Sequence, residues 1–542
     1  MTPAPDRRVF KQSADWDVLR AAFRWTVPTR FNIAAACCDS WAAHDPDRLA
    51  ILHVMESGAV RRISYGDLRA ASNRLANALR ARGMDRGDRC AVLLAQSPEV
   101  LMTHFACHKL GMISIPLFTL FGEDALLYRL SDSGARVVVT DRENLPKILN
   151  IKDKLENLRL IYVVDGPAAG ARDMQADLAA ASDRFSPVDT LAEDPAIIIY
   201  TSGTTGPPKG ALHAHRFLLG HCPAVELQHE FFPKSGDIGW TPADWAWIGG
   251  LMNIAMSCLY YGVPLVAHRM GKFDPDRAYR LITDLQVRNL FLPPTALKLM
   301  RQIKAPAQTG IRTIMSGGES LGAELLDWGQ GEFGLRINET YGQTECNLIL
   351  TSCAEIGVQK AGAIGRAVPG YDVAILDGAG REVARGETGE IAVARGVPTL
   401  FQGYWQQPEK TAGKFTGDWM KTGDLGQMDA AGYVTFSSRD DDVITSAGYR
   451  IGPTEIEDCL TGHPDVVMAA AVGIPDAVRT EIVKAFVVLR EGANREGLEA
   501  ALIARVRNRI SPHVAPRLIE VIDAMPMTAT GKIMRRELRA RG

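Results

Sequence analysis

Residues 200–210 combine the side chains and backbone freedom that phosphate binding requires. They read Tyr-Thr-Ser-Gly-Thr-Thr-Gly-Pro-Pro-Lys-Gly and contain one lysine, Lys209, with four hydroxyl residues and three glycines: Thr201, Ser202, Thr204, Thr205, Gly203, Gly206 and Gly210. The apolar, β-branched run at 196–199 predicts a buried strand just before them. A glycine-rich loop that leaves a strand can turn its N–H groups toward one point, and the hydroxyls and the ammonium add donors. The sequence therefore predicts a nucleotide phosphate loop.

This loop does not follow the Walker A pattern, Gly-x-x-x-x-Gly-Lys-Ser/Thr. Lys209 is followed by Gly210, so the metal-binding hydroxyl after the lysine is missing. Pro207 and Pro208 also remove two backbone donors. An ordinary polar turn stays open from these residues alone, because glycine, serine, threonine and proline dominate turns.

Length and composition limit the class of protein. A chain of 542 residues exceeds one core, so two or more domains are expected. Hydrophobic content of 46% and charged content of 23% are typical of a soluble globular protein, and a net charge of −2 gives no reason to expect nucleic acid as partner. The first 20 residues lack a signal-peptide core, no run is apolar enough to span a membrane, and the nine cysteines are irregularly spaced. These features predict a cytoplasmic protein with reduced thiols.

A group of histidines and one cysteine follows the phosphate loop and could suggest zinc: His213, His215, His221, Cys222 and His229. A structural zinc site usually needs close ligand pairs and a second, distant pair, which this sequence does not supply. We expect these residues to be polar positions along a helix.

Alternating strand and helix patterns indicate the fold class. Between about 64 and 350, apolar strands at 90–94, 136–140, 160–164, 197–200, 290–292 and 311–315 alternate with helical stretches such as 65–82 and 99–110. This alternation predicts an α/β protein with layered, mostly parallel sheets. From about 362 to 436, short strands divided by glycines predict a β-rich subdomain packed on those sheets.

A charged break separates a second domain. Residues 437–442, Ser-Ser-Arg-Asp-Asp-Asp, contain three consecutive carboxylates that repel one another, as in a linker. The remaining residues have strands at 466–472 and 483–489 and a helix at 498–509. We therefore expect a large N-terminal domain at 1–438, a hinge at 439–442 and a small α+β domain at 443–542.

Four further motifs follow the phosphate loop. They are residues 338–345 with the nearby 316–320, residues 422–424, residues 439–442 with 448–451, and residues 526–533. Taken singly, each of these motifs fits a turn, a linker or a solvated charge. In this order and with these spacings, the five motifs resemble those of the adenylate-forming superfamily, which contains acyl-CoA synthetases, luciferases and peptide-synthetase adenylation domains.

The resemblance implies an ATP site with bound Mg²⁺. It places Tyr341 near the adenine, Asp424 and Arg439 at the ribose, and Thr344 at the α-phosphate. The nucleotide-binding set it implies is Thr201, Ser202, Gly203, Thr204, Thr205, Gly206, Lys209, Gly317, Gly318, Glu319, Tyr341, Gly342, Asp424 and Arg439. Glu345 and Thr204 would hold the metal, consistent with the preference of Mg²⁺ for hard oxygen ligands.

Lys532 corresponds to the adenylation lysine of this superfamily. A carboxylate that attacks the α-phosphate brings two anions together, and an ammonium between them stabilises the charge of the transition state. Lys532, Thr344 and Glu345 are thus the expected catalytic residues. Acylation of Lys532 by a lysine acyltransferase, reversed by a deacylase, would remove that charge.

The same resemblance implies a second half-reaction with coenzyme A. Asp441 would be the hinge for a rotation of the C-terminal domain, so Asp441→Pro should slow thioester formation more than adenylation. Gly448 would leave space for the pantetheine of CoA, with Tyr449 and Arg450 beside it. No carrier domain follows Lys532, which disfavours a peptide-synthetase adenylation domain.

Three positions are expected at the acyl pocket: Trp240, Trp245 and Gly342. Acetate and propionate enzymes have a tryptophan where this chain has Gly342, so the sequence predicts a pocket for larger acids. Residues 446–457 and 401–405 resemble the medium-chain acyl-CoA synthetase group. We therefore expect an AMP-forming acyl-CoA synthetase for a medium-chain or branched carboxylic acid. Four other activities stay open: a benzoate-type aryl-CoA ligase, delivery of the acyl group to another acceptor, luciferase-like oxygen chemistry, and a catalytically silent binder. A homo-oligomer also stays open.

Overall fold

The structure is a computed structural model that describes residues 5–201, 207–439, 442–446, 449–476, 479–528 and 531–541. Arg439, Thr445, Tyr449 and Arg450 are described as backbone only. The predicted site residues that lie outside these ranges are Ser202, Gly203, Thr204, Thr205, Gly206, Asp441 and Gly448.

The phosphate loop leaves an eight-stranded sheet whose central strands are apolar on both faces. In spatial order its strands are Gly403–Tyr404, Lys209–Ala214, Pro195–Thr201, Ile113–Pro116, Arg89–Leu93, Val137–Thr140, Leu160–Val163 and Arg172–Asp173. The pairs among the last six strands are parallel, and the two strands at the Tyr404 edge run antiparallel. Runs such as Val137–Thr140 are wholly buried, as expected for strands covered by helices on both faces.

A fourteen-stranded sheet carries the motifs that follow. In spatial order its strands are Val373–Leu376, Thr388–Ala394, Trp419–Met428, Tyr433–Arg439, Gly365–Ala367, Leu350–Thr351, Asn338–Tyr341, Thr313–Gly317, Asn289–Phe291, Gly239–Trp240, Leu265–Ala267, Leu49–Val54 and Val60–Ser64, with Phe415–Thr416 paired to Trp419–Met428. Its parallel part runs from Asn338–Tyr341 to Leu49–Val54, and the strands after residue 350 are antiparallel.

A five-stranded sheet forms the C-terminal part. Its strands are Tyr449–Ile451, Ile444–Ser446, Thr480–Leu489 and Val466–Asp476 in spatial order, with Leu518–Val521 paired to Thr480–Leu489. One face packs against the helices Pro453–Thr461 and Leu498–Arg509, and the other packs against the segment around Leu538.

Helices cover the sheets, and most of them have a proline or an acidic residue in their first turn. The α-helices are Trp16–Ala22, Ser40–His44, Tyr65–Ala81, Pro98–Leu110, Glu123–Ser133, Leu145–Leu149, Met174–Ala180, Phe217–Gln228, Ser257–Tyr261, Pro275–Asp284, Pro294–Met300, Ala323–Phe333, Pro408–Ala412, Pro453–Thr461, Leu498–Arg509 and Arg535–Arg539. Two segments are π-helices, Ala35–Asp39 and Gly249–Met256, and two are short 3₁₀ helices, Lys152–Lys154 and Ala354–Ile356.

The helix Phe217–Gln228 links the phosphate strand to the next motif. It is apolar nearly all round and buried along almost its whole length, as expected for a helix between two sheets. At its end, Gln228 Nε2 donates to Thr340 Oγ1 at 2.7 Å, and Asn338 Nδ2 donates to the Gln228 carbonyl at 2.9 Å. These bonds fix the strand Asn338–Tyr341 relative to the phosphate loop.

The predicted α/β class and the order of strands and helices are confirmed, with three corrections. Up to about residue 350 the strands pair mostly in parallel, as predicted, but the β-rich segment extends the large sheet with antiparallel strands and does not form a separate layer on it. Ser437 and Ser438 belong to the strand Tyr433–Arg439 and not to a linker. His213 lies in the strand Lys209–Ala214 and His215 follows that strand, so the histidines do not share one helix. The boundary at 438 stays a prediction.

Candidate functional site

The two strands that flank the phosphate loop hold its ends together. Pro195–Thr201 and Lys209–Ala214 pair antiparallel, and the register places Thr201 opposite Lys209. The loop therefore begins and ends at the same point of the sheet edge. Lys209 starts its strand at the position where a phosphate loop would need a cation.

Lys209 lies in one cluster with Tyr404 and Glu345. Its Nζ is 4.6 Å from the centre of the Tyr404 ring, and the Tyr404 hydroxyl donates to Glu345 Oε1 at 2.6 Å. Burial, together with the ammonium groups of Lys414 and Lys410, lowers the pKa of Lys209, while the Glu345 carboxylate partly offsets this effect. The site thus holds one carboxylate among several cations, which suits a polyanionic ligand with a bound cation.

Local pairing explains why Tyr404 reaches this cluster. The strand Gly403–Tyr404 adds to the edge of the phosphate sheet, with Tyr404 opposite Ala211, and Trp405 N donates to the Gly210 carbonyl at 2.7 Å. Phe401 N donates to the Glu345 carbonyl at 3.0 Å. Residues 401–405 therefore join the phosphate loop to the backbone of Glu345.

Asp424 is the centre of a second cluster. Its Oδ2 accepts hydrogen bonds at 2.6 Å from the Tyr341 hydroxyl and from Gln343 Nε2, which also donates to the Thr422 carbonyl at 2.8 Å. Asp424 faces Arg439 across the paired strands Trp419–Met428 and Tyr433–Arg439. The residues predicted at the adenine and the ribose thus lie together, and Asp424 is buried among hydrogen-bond donors.

The loop 317–319 lies next to a tryptophan. Gly318 has φ +98°, and a Cβ there would lie 3.0 Å from the Trp247 ring, so this position requires glycine. Glu319 accepts from Thr295 Oγ1 at 3.2 Å. Burial raises the pKa of Glu319, and the charges of Lys298, Arg535 and Lys532 oppose that rise. Lys532 therefore lies close enough for its charge to act on this loop.

The C-terminal part contacts the helix Ala323–Phe333, and the segment that carries Lys532 is closed by its own hydrogen bonds. Glu324 pairs with Arg505 of the C-terminal part at 3.6 Å and with Arg301 at 3.2 Å. The loop of Lys532 is closed by Thr528 N donating to the Lys532 carbonyl at 2.8 Å and by Lys532 N donating to Thr528 Oγ1 at 3.1 Å. These two bonds join the ends of the Lys532 segment to each other.

The predicted CoA residues belong to another part of the same domain. Tyr449 and Arg450 lie in the edge strand Tyr449–Ile451, whose Ile451 packs on the face that carries the helices Pro453–Thr461 and Leu498–Arg509. Ile533 packs on the opposite face of the sheet. Tyr449 and Arg450 therefore lie at one edge of the C-terminal sheet, and Ile533, the residue after Lys532, packs against one of its faces.

The two tryptophans expected at the acyl pocket are buried in the core, whereas a third one nearby, Trp247, is not fully buried. Trp240 is fully buried in the apolar cluster of the large sheet with Leu290, and Trp245 is buried in the main core. Trp247 is half-buried and lies 5.4 Å, ring centre to ring centre, from Phe291 and against Gly318. Trp247 is therefore better placed than Trp240 to line a substrate pocket.

The structure also explains the glycine at position 342 differently from the sequence-based prediction. A Cβ at this position would lie 2.2 Å from the backbone nitrogen of Leu348 and 2.9 Å from the carbonyl carbon of Asn347. The main chain of the following loop fills the space where a side chain would begin. The absent side chain therefore reflects a close backbone approach, and it does not by itself indicate a larger acyl pocket.

The histidines after the phosphate loop are buried and neutral. Burial lowers the pKa of His215 and His229 to about 3 and that of His221 to about 4, and it also lowers the pKa of His213. Across the described ranges, no group of three or more His, Cys, Asp and Glu side chains could hold a metal ion. All nine cysteines carry free thiols. The described part of the chain also has no helix with the length and apolarity of a membrane span.

Comparison with known proteins agrees with this geometry. The family model described as AMP-binding enzyme matches residues 38–405, and the model described as AMP-binding enzyme C-terminal domain matches residues 455–532. The chain belongs to the AMP-binding enzyme family. It is 35% identical to "Acyl-coenzyme A synthetase ACSM4, mitochondrial" of Homo sapiens, over 99% of this chain and 96% of that one. It is 34% identical to "Acetyl-coenzyme A synthetase" of Bacillus subtilis, over 97% and 93%.

A solved structure of similar fold is the anthranilate CoA ligase AuaEII in complex with anthranoyl-AMP. The TM-score is 0.87 at 26% identity, over 95% of this chain and 98% of that one. The resemblance to the adenylate-forming superfamily is thereby confirmed.

Three residues of this AMP-binding enzyme were missed from the sequence. Gln343 binds Asp424, Tyr404 binds Glu345, and Lys414 Nζ donates to the Thr422 carbonyl at 3.2 Å. Gln343 lies inside the motif at 338–345 and Tyr404 inside the segment 401–405, so both residues could have been identified from the sequence. Lys414 had none, because its approach depends on the fold of residues 405–422.

Proposed function

We propose that this chain is an AMP-forming acyl-CoA ligase, which converts a carboxylic acid, ATP and CoA into acyl-CoA, AMP and pyrophosphate. The observation that carries the proposal is the convergence of Lys209, Tyr404 and Glu345 near the Asp424 cluster. These residues come from motifs that are far apart in sequence. Family membership and two acyl-CoA synthetase relatives support the same activity.

In the first step, an oxygen of the acid carboxylate attacks the α-phosphorus of ATP, and the bond from that phosphorus to pyrophosphate breaks. Asp424 would accept hydrogen bonds from the ribose and orient the nucleotide. Lys209 would hold the phosphates, and the Lys532 ammonium would stabilise the charge of the transition state. Glu345, whose carboxylate Tyr404 orients, and Thr204 would hold Mg²⁺, which supplies charge neutralisation on the phosphates when bound.

In the second step, the CoA thiol attacks the acyl carbonyl carbon, the carbon–oxygen bond to AMP breaks, and the thiol proton leaves. We infer a rotation about Asp441 that exchanges the Lys532 loop for the hairpin carrying Gly448, Tyr449 and Arg450. The edge strand Tyr449–Ile451 and the segment of Lys532 and Ile533 occupy different parts of the C-terminal sheet, which supports their acting in turn. In Asp441→Pro, equal losses in both steps would count against this rotation.

The acid is proposed to be medium-chain or branched and aliphatic, because residues 446–457 and 401–405 resemble the medium-chain acyl-CoA synthetase group. An aryl-CoA ligase is the second candidate, since the similar solved structure is an anthranilate ligase. Gly342 does not separate these candidates, whereas the half-buried Trp247 beside Gly318 would limit the pocket in either case.

The test is ATP–pyrophosphate exchange over acids from acetate to decanoate, with isobutyrate, 2-methylbutyrate, cyclohexanecarboxylate and benzoate, and each positive repeated with CoA. Exchange that peaks on a medium or branched acid, followed by CoA-dependent thioester, supports the proposal. Preference for benzoate selects the aryl ligase. Exchange without thioester indicates another acceptor, and no exchange on any acid contradicts the proposed activity.

Control by acylation of Lys532 and a cytoplasmic location are also proposed. The Lys532 side chain is exposed and therefore open to a modifying enzyme, and the nine free thiols fit a reducing compartment. Intact-mass analysis of the native protein would refute the first idea if Lys532 is unmodified under every growth condition. Cell fractionation tests the second.

A further inference from the structure

A buried hydrogen-bond chain runs beside the predicted acid-binding side of the site. His221 Nδ1 lies 2.7 Å from the Phe217 carbonyl, Asn347 Nδ2 lies 2.9 Å from His221 Nε2, and Asn347 Nδ2 lies 2.6 Å from Asn253 Oδ1. His221, Asn347 and Asn253 are at most 5% exposed. The sequence singled out only His221 among these three polar side chains, as one of the histidines that follow the phosphate loop.

The chemistry of the groups fixes the direction of each bond. A carbonyl can only accept, so His221 Nδ1 carries the proton and Nε2 is the acceptor. Burial lowers the pKa of His221 to about 4, which keeps the ring neutral and this tautomer unchanged near neutral pH. The Asn347 amide nitrogen therefore donates one hydrogen to His221 and the other to Asn253 Oδ1.

This chain joins three elements that surround the site. His221 lies in the helix Phe217–Gln228, which follows the phosphate strand, and Asn347 lies two residues after Glu345. Asn253 lies in the π-helix Gly249–Met256, which begins two residues after Trp247. A π-helical segment of this length is rare and is frequently found at functional sites.

The loop that Asn347 holds is strained. Leu348 has φ +60°, a left-handed conformation that costs free energy in a leucine, and its backbone nitrogen is the atom that approaches Gly342. Glu345, in contrast, is fixed independently by Phe401 and Tyr404. Loss of the Asn347 bonds should therefore relax residues 346–348, which approach Gly342, more than it moves the metal-binding carboxylate.

We propose that Asn347 is a positioning residue for acid binding, which acts through His221 and Asn253 to hold residues 342–348 against the π-helix. The proposal rests on the proposed function, because the acid is the ligand whose binding it would change. It assigns a role to Asn347 as donor and to Asn253 as acceptor, and this difference can be tested.

The experiment measures the KM for acid and the KM for ATP in pyrophosphate exchange. It compares the variants Asn347→Leu, Asn253→Leu and Asn253→Asp with the control variant Asn32→Leu. Asn32 is a buried asparagine outside the site whose Nδ2 donates to the His108 carbonyl at 2.8 Å. We expect both leucine variants in the chain to raise the KM for acid about tenfold, with the KM for ATP within about threefold. Asn253→Asp keeps the acceptor and should stay close to wild type, and Asn32→Leu should lower only the melting temperature.

Two further measurements make the outcome decisive. The double variant Asn347→Leu/Asn253→Leu should be no worse than Asn347→Leu, because Asn347→Leu already removes the bond to Asn253. Hydrogen exchange of amides 342–349 should rise in Asn347→Leu and not in Asn32→Leu, whether or not an acid is turned over. Equal rises in both KM values, additive effects, or unchanged exchange would overturn the proposal. An inactive wild type with the expected exchange pattern would instead contradict the proposed function alone.

Discussion

The hydroxyl of Tyr404 should be needed for nucleotide turnover. It donates to Glu345 Oε1 at 2.6 Å, while the ring lies 4.6 Å from Lys209 Nζ. Burial and the Glu345 carboxylate raise the pKa of Tyr404, so the hydroxyl remains a donor at every assay pH. Tyr404→Phe keeps the ring beside Lys209 and removes only this bond.

The expected loss follows from the charge of the acceptor. A hydrogen bond to a charged group contributes about 1.5–3 kcal/mol, and each 1.4 kcal/mol corresponds to about a tenfold change. Because Glu345 is nearly buried, water would replace the lost donor poorly. We therefore expect kcat/KM for ATP in pyrophosphate exchange to fall by about ten- to one-hundredfold in Tyr404→Phe.

A matched control separates this effect from general stability. Tyr162 is also buried and donates to a carboxylate, Asp177 Oδ2, at 2.7 Å. It lies near the edge of the eight-stranded sheet opposite to Tyr404. Tyr162→Phe should lower the melting temperature and leave kcat/KM unchanged. If Tyr404→Phe lowers only the melting temperature and exchange stays within about threefold of wild type, the role given to Tyr404 is refuted.

Three other predictions concern different parts of the chain. Lys532→Ala and Lys532→Gln should reduce adenylation by at least about a hundredfold, yet leave thioester formation from preformed acyl-adenylate nearly unchanged; equal losses in both assays would argue against the assigned role. Trp247→Ala should shift the exchange optimum toward larger acids, and an unchanged preference over the acid panel would remove Trp247 from the pocket. Burial raises the pKa of Glu226 to about 7 from an ordinary 4.5, so the folded state binds more protons than the unfolded state between these values. The contribution of Glu226 to the free energy of unfolding therefore falls as pH rises through this window, and melting curves of Glu226→Gln should lack that decline; the same slope in both proteins would contradict the assignment.

Much of the site was predictable because its chemistry lies in short motifs with fixed local structure. The phosphate loop follows a β-branched strand, and the observed register returns Lys209 to that strand's end. Tyr341 and Asp424 were expected at one nucleotide, and the fold brings them into direct contact. In each case the residue type indicates the chemistry, and the strand pattern indicates where the residue lies in the fold.

The remaining features depend on contacts that no local pattern reveals. Gly342 suggested open space, but the backbone at Leu348 occupies it. Three tryptophans within eight residues look alike in sequence, and only the packing of the sheets buries Trp240 and leaves Trp247 at Gly318. The His221, Asn347 and Asn253 chain joins residues up to 126 positions apart, so it exists only in the folded protein.

The central claim is that the acid is activated as an acyl-adenylate, and isotope transfer tests it most directly. The acid that gives the highest exchange would be labelled with ¹⁸O in its carboxylate and turned over with ATP and CoA, and the products analysed by mass spectrometry. The account predicts AMP carrying one ¹⁸O atom and unlabelled pyrophosphate. Unlabelled AMP, or ADP with the label in inorganic phosphate, would contradict it.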